Sequence, residues 1–188
     1  MKSYENGNWL PYTVEELIDV LSYAVSITPP YARISRMIRD ISAKDIVVGN
    51  KKTNLRQMVE AHVSPAVNPQ EMRMREIATD DIDEDELRLE EVRYSTATTD
   101  EAFIQFVRKD GRLVGFCRLS LPKPGSNTAE LSKFGIFSDS AMIREVHVYG
   151  RVSKFHEAKE GAQHLGLGRR LIERAEGIAK ESGYSRIN

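Results

Sequence analysis

Gln163-His164-Leu165-Gly166-Leu167-Gly168-Arg169-Arg170-Leu171-Ile172-Glu173-Arg174-Ala175 decides the fold class of this 188-residue chain. Two glycines stand ahead of a run in which Leu171, Ile172, Ala175, Ile178 and Ala179 recur at helical spacing. This predicts a helix over Arg169 to Glu181 with an inward apolar stripe, ended by Gly183. A helix start offers unpaired amides and the positive end of its macrodipole, and glycine lets the backbone approach an anion with no Cβ between. Gln163, His164, Leu165, Gly166, Leu167, Gly168 and Arg169 are therefore candidates to hold a phosphate or pyrophosphate, with Arg170 adding charge nearby. Two ordinary turn glycines before a helix are the other reading of the same pattern, and the flanking elements tilt the choice towards the anion.

Upstream, Ala141 to Tyr149 reads as a strand, and alternation puts Glu145 and His147 on one face of it. Glu145 and His147 are candidate general bases, Glu145 on condition of desolvation. Both read equally well as satisfied polar residues without chemistry. Glu101 to Lys109 and Arg112 to Leu121 are strand-like and joined by Asp110-Gly111, which predicts a hairpin closed by a type I′ turn. Cys117 alternates with Leu113, Gly115, Leu119 and Leu121 and is expected to be a buried thiol. Ser185 to Asn188 opens another strand, so strands, glycine turn and helix together give an α/β (α+β) domain.

The first part of the chain differs. Thr13-Val14-Glu15-Glu16 is a capping-box pattern, and Leu17, Leu21, Ala24 and Val25 then form one stripe before Pro29-Pro30 stops the helix. A second helix is predicted over Thr53 to His62, with Leu55, Met58, Val59 and His62 at helical spacing. Arg33 to Arg56 holds seven basic residues against Asp40 and Asp45, which makes Arg33, Arg36, Arg39, Lys51, Lys52 and Arg56 candidate phosphate contacts, with a solvated face as the alternative. Glu76 to Glu91 holds nine acidic residues against Arg88, and within it Glu76 to Glu86 has too much like charge and too few apolar residues to pack and reads as linker. The expected organisation is a helical, basic segment over 1–68, an acidic linker over 69–85 and a second domain over 86–188. No membrane span or secretory leader is read, so a cytoplasmic location is expected. The single cysteine, Cys117, excludes an intrachain disulfide framework and a cysteine-rich zinc site, and no metal ligands are assigned.

Gln163 to Gly168 followed by Arg-Arg-Leu-Ile-Glu-Arg-Ala resembles the acetyl-coenzyme-A motif of the GNAT superfamily, in which the pyrophosphate lies on this turn. Ile143-Arg144-Glu145-Val146-His147-Val148-Tyr149-Gly150 is similar to the I-R-E-L-H-V-Y-G strand of the Elongator catalytic-subunit family, radical-SAM and acetyltransferase enzymes that modify wobble uridine in tRNA. Trp9-Leu10-Pro11-Tyr12-Thr13, Arg39-Asp40-Ile41 with Asn54-Leu55-Arg56-Gln57, and Arg73-Met74-Arg75-Glu76-Ile77 agree in order. The resemblance implies a GNAT-type mixed, mostly antiparallel sheet with flanking helices. That sheet would be incomplete at the C-terminus, since the family continues past Tyr184, and preceded by a small piece of a radical-SAM barrel. Backbone groups of Glu145, Val146, His147 and Val148 would hold the pantetheine arm of acetyl-CoA. S-adenosylmethionine and a [4Fe–4S] cluster would belong to a missing half, because the CxxxCxxC motif is absent, and Pro69 stands where the family usually has a cysteine associated with zinc. The implied partners are tRNA, received by the basic segment, and Elongator-type subunits or a second copy. The acetyl unit would serve carboxymethyl-uridine formation, with this piece inactive alone. Two rival readings are a stand-alone N-acetyltransferase acting on lysine or another amine with Glu145 as base, and a non-catalytic RNA-binding or assembly module.

Overall fold

The computed structural model describes residues 1–37, 41–63, 68–78, 82–123, 125, 140–150 and 166–188. Arg39 of the basic segment, and Gln163, His164 and Leu165 ahead of the glycine turn, lie outside the described residues. The chain divides into two units, Met1–Met74 and Arg75–Asn188.

The first unit is helical: α1 (Lys2–Glu5), α2 (Val14–Ile27), α3 (Leu55–His62) and the single turn α4 (Met72–Arg75) at its end. The capping box forms as expected. Thr13 Oγ1 accepts from the Glu16 amide at 3.1 Å while Glu16 Oε2 accepts from the Thr13 amide at 2.8 Å, which satisfies two donors that the helix start leaves unpaired. Leu17, Leu21 and Val25 pack with Leu55, Val59 and Val63 into a small core. His62 departs from the predicted stripe: it is exposed, 3.6 Å from Asp19.

The second unit is a five-stranded sheet, β1 (Leu87–Ser95), β2 (Thr99–Arg108), β3 (Leu113–Pro122), β4 (Ser140–Val148) and β5 (Arg186–Ile187), with α5 (Leu167–Glu181) between β4 and β5. The strands lie in sequence order, antiparallel except for the parallel β4–β5 pair, so the mixed, mostly antiparallel sheet with flanking helices is the architecture observed. β1 escapes a reading by hydrophobicity because Arg88, Glu90, Glu91 and Arg93 interrupt it and only part of its length is covered. α5 buries Leu167, Leu171, Ala175, Ile178 and Ala179 against Ala102, Ile104, Phe106, Cys117 and Leu119. Ile172, expected inward, lies at the margin of the buried stripe and is 38% exposed. Cys117 is fully buried, and burial pushes its thiol up to about 11.

One expectation is corrected. The β2–β3 connection is not a type I′ turn, because Gly111 has positive φ (85°) and Asp110 does not. Gly111 donates to the Arg108 carbonyl and Arg108 to the Arg112 carbonyl, each at 2.9 Å, the three-residue hairpin loop whose last residue takes the left-handed conformation. The stretch read as acidic linker is partly packed: Glu71, Met72 and Ile77 are buried, and Ile77 donates to the Leu113 carbonyl at 3.1 Å. Its charge is countered locally, Glu71 by Arg56 and Glu84 by Arg170.

Candidate functional site

β4 pairs with β3 along most of its length, but with β5 only at Ser140 and Ala141, extended by the Ile143 amide donating to the Asn188 carbonyl at 2.7 Å. From Arg144 to Val148 the outer edge of β4 has no strand partner among the described residues. At that end the start of α5 approaches. A Cβ built on Gly168 would lie 3.8 Å from Val148 Cγ2. Gly166 is the N-cap, left-handed at φ 63°, and no side chain caps the helix, in contrast to Thr13 at α2. The start of α5 and the end of β4 are therefore neighbours among the described residues, and a helix start is in general a place that receives anions.

Residues of the glycine turn separate into two kinds. Gly166 is required by its own backbone, since a left-handed residue with a Cβ is strained. Gly168 is not: its missing Cβ would make only ordinary contact. Packing thus leaves this helix glycine unexplained. Arg169 is largely exposed and pairs with Glu173 at 2.7 Å. Arg170, read as nearby positive charge, is instead held by Glu84 at 2.6 Å with its guanidinium 4.8 Å from the Phe106 ring centre.

A β-bulge at Arg144 sets which side chains face which way. Leu119 pairs with Ile143 and Arg118 with Glu145, so Arg144 is the extra residue. Ile143, Val146 and Val148 all pack on the α5 side because the bulge shifts the alternation between them. Glu145 and His147 share the opposite face, as alternation predicts. Glu145 is about half exposed and pairs with Arg118 at 3.1 Å. His147 is exposed, its ring stacked at 6.0 Å on buried Phe116 and edge-on to Tyr149 at 4.4 Å. Gly115 was not legible as a site residue. A Cβ there would meet the His147 carbonyl oxygen at 3.0 Å, so this glycine permits the close approach of β3 to the functional end of β4.

In the first unit, Arg33, Arg36, Lys51 and Lys52 are exposed, and both lysines line a cavity of about 310 Å³ floored by Leu17, Ile46 and Leu55. Arg56 differs. Its Nε contacts Glu60 at 2.7 Å, one terminal nitrogen donates to the Ile34 carbonyl at 2.9 Å, and the other contacts Glu71 at 3.2 Å. The Glu71 carboxylate is fully buried and also accepts from the Ile34 and Met74 amides. Arg56 is a largely buried cation held against this carboxylate.

The Radical_SAM C-terminal domain matches residues 1–64, and the Acetyltransferase (GNAT) family matches residues 71–188. The tRNA uridine(34) acetyltransferase of Methanocaldococcus jannaschii is 35% identical over 95% of this chain and 34% of the relative. Elongator complex protein 3 of Saccharomyces cerevisiae is 28% identical over 95% of this chain and 33% of its own length. The solved structure of archaeal Methanocaldococcus infernus Elp3 with an N-terminal deletion superposes with a TM-score of 0.76 at 33% identity, covering 96% of this chain and 43% of that one. The chain thus spans about a third of the length of the curated relatives it matches. The match over residues 71–188, more than half of its length, shows that the chain belongs to the GNAT acetyltransferase family.

Proposed function

We propose that the chain is the acyl-carrier part of an acetyl-CoA-dependent enzyme that modifies wobble uridine in tRNA. In this reading residues 1–68 are the end of a radical-SAM-like domain and 86–188 the acetyltransferase part. What supports it is that the stretch of β4 without a strand partner among the described residues, Arg144 to Val148, ends beside the start of α5 at Gly166, Leu167, Gly168 and Arg169. Pantetheine amides pair with the backbone of Glu145, Val146, His147 and Val148, and the pyrophosphate takes the helix amides. Glu145 and His147 stand where the acceptor meets the acyl end, and Arg33, Arg36, Lys51 and Lys52 contact tRNA phosphates. The choice of tRNA as acceptor follows the names of the relatives at 35% and 28% identity. Radical chemistry with S-adenosylmethionine and a cluster belongs outside this chain, whose one cysteine is buried.

The test is thioester cleavage of acetyl-CoA by the chain joined to the remaining length of its relatives. Cleavage accelerated by tRNA, and indifferent to peptide or polyamine, supports the reading. Lysine acetylation with no response to tRNA replaces it with a stand-alone amine acetyltransferase.

A further inference from the structure

On the face of β4 turned away from α5, four rings form a continuous array. Phe103 lies 5.3 Å from Phe116, Phe116 6.0 Å from His147 at an interplanar angle of 26°, and His147 4.4 Å from Tyr149. Arg118 covers the inner pair, its guanidinium 5.1 Å from the Phe103 and 5.3 Å from the Phe116 ring centre. Phe103 and Phe116 are buried, so of these four rings His147 is the exposed one. Its plane is fixed from below by Phe116 and from the side by Tyr149. A planar, braced, solvent-facing ring beside a charged pair, Arg118 and Glu145, matches what a nucleobase needs: a flat apolar surface with hydrogen-bonding groups at its edge.

We infer that His147 is the stacking platform for one unpaired base of the RNA substrate, which lies over the imidazole on the side opposite Phe116. The inference rests on the proposed function and adds to it how the acceptor nucleotide is held. Stacking is sequence-tolerant, because every base has a π-face, and depends weakly on salt, unlike the phosphate contacts of the lysines.

The test uses the full chain and a labelled RNA hairpin with an unpaired loop, titrated by fluorescence anisotropy. His147→Ala weakens binding about tenfold, and His147→Phe, which keeps a flat ring, restores it. Replacing each loop nucleotide in turn by an abasic one identifies a position at which wild type and His147→Ala bind alike. The slope of affinity against salt is the same in wild type and variant. Equal binding by wild type and His147→Ala to the intact hairpin overturns the inference and leaves the proposed function standing. A loss in His147→Ala that His147→Phe does not restore also overturns it. Absence of RNA binding by the wild type overturns it together with the tRNA part of the proposed function.

Discussion

Tyr149 donates its phenolic hydrogen to Glu76 Oε1 at 2.9 Å, joining residues 73 positions apart. Glu76 is itself bridged in parallel to Leu113, and the Tyr149 amide donates to the Val114 carbonyl at 2.8 Å. The end of β4 is thus fastened on its β3 side, while from Arg144 to Val148 its other edge has no strand partner among the described residues. Tyr149→Phe removes one hydrogen bond to a carboxylate and should destabilise the second unit by about 1–2 kcal/mol. Urea unfolding measures it, and amide exchange should rise at the end of β4. A loss below about 0.5 kcal/mol would show that the clasp does not hold the strand.

Gly166 and Gly168 should respond differently to the same substitution. Gly166→Ala forces a Cβ into the left-handed region and should cost about 1 kcal/mol or more. Gly168→Ala makes only an ordinary contact with Val148 and should gain up to about 1 kcal/mol from helix propensity. Gly168→Ala should nevertheless weaken acetyl-CoA binding, read by calorimetry on the protein extended to the length of its relatives. Unchanged affinity there would leave the turn a purely structural helix start.

Arg56 and the two neighbouring lysines separate structure from binding in the basic segment. Arg56→Ala strands the buried Glu71 carboxylate and should cost the first unit about 3–5 kcal/mol. Lys51→Ala with Lys52→Ala should change stability by no more than about 0.5 kcal/mol. That double variant should lower the slope of log affinity for tRNA against log salt by roughly 1.5 to 2 units. Identical slopes would return the two lysines to a solvated face.

The acid limb of stability should carry the mark of Glu91. Its partial burial would raise the carboxyl, but hydrogen bonds from Arg174 and Arg93, with their charges, outweigh this and leave it below its ordinary value of 4.5. A carboxyl lowered on folding contributes stability that is fully present above that ordinary value and is lost as pH falls through the lower folded value. The stability difference between wild type and Arg174→Ala should therefore be constant near neutrality and shrink below about pH 4.5. A difference independent of pH throughout the acid range would mean that Arg174 acts through packing alone.

The sequence by itself determined what depends on near neighbours. The capping box at Thr13 and Glu16, the stripe of α5, the hairpin strands and the glycine turn are all set within a turn or two of chain, where side-chain and backbone preferences act directly. The motif strand Ile143 to Tyr149 carried even the common face of Glu145 and His147, and its bulge had a signal in the two successive polar residues between Ile143 and Val146. Tertiary structure alone decided which charges are surface charges. Arg56 and Lys52 look alike in a count, yet Arg56 is claimed by Ile34 and Glu71, 22 residues before it and 15 after, while Lys52 stays exposed. The same holds for His147, whose ring acquires its plane from Phe116, and for Gly115, where a Cβ would meet the His147 carbonyl oxygen at 3.0 Å. Burial and partnership are sums over residues distant in sequence, and periodicity along one segment contains no record of what folds against it.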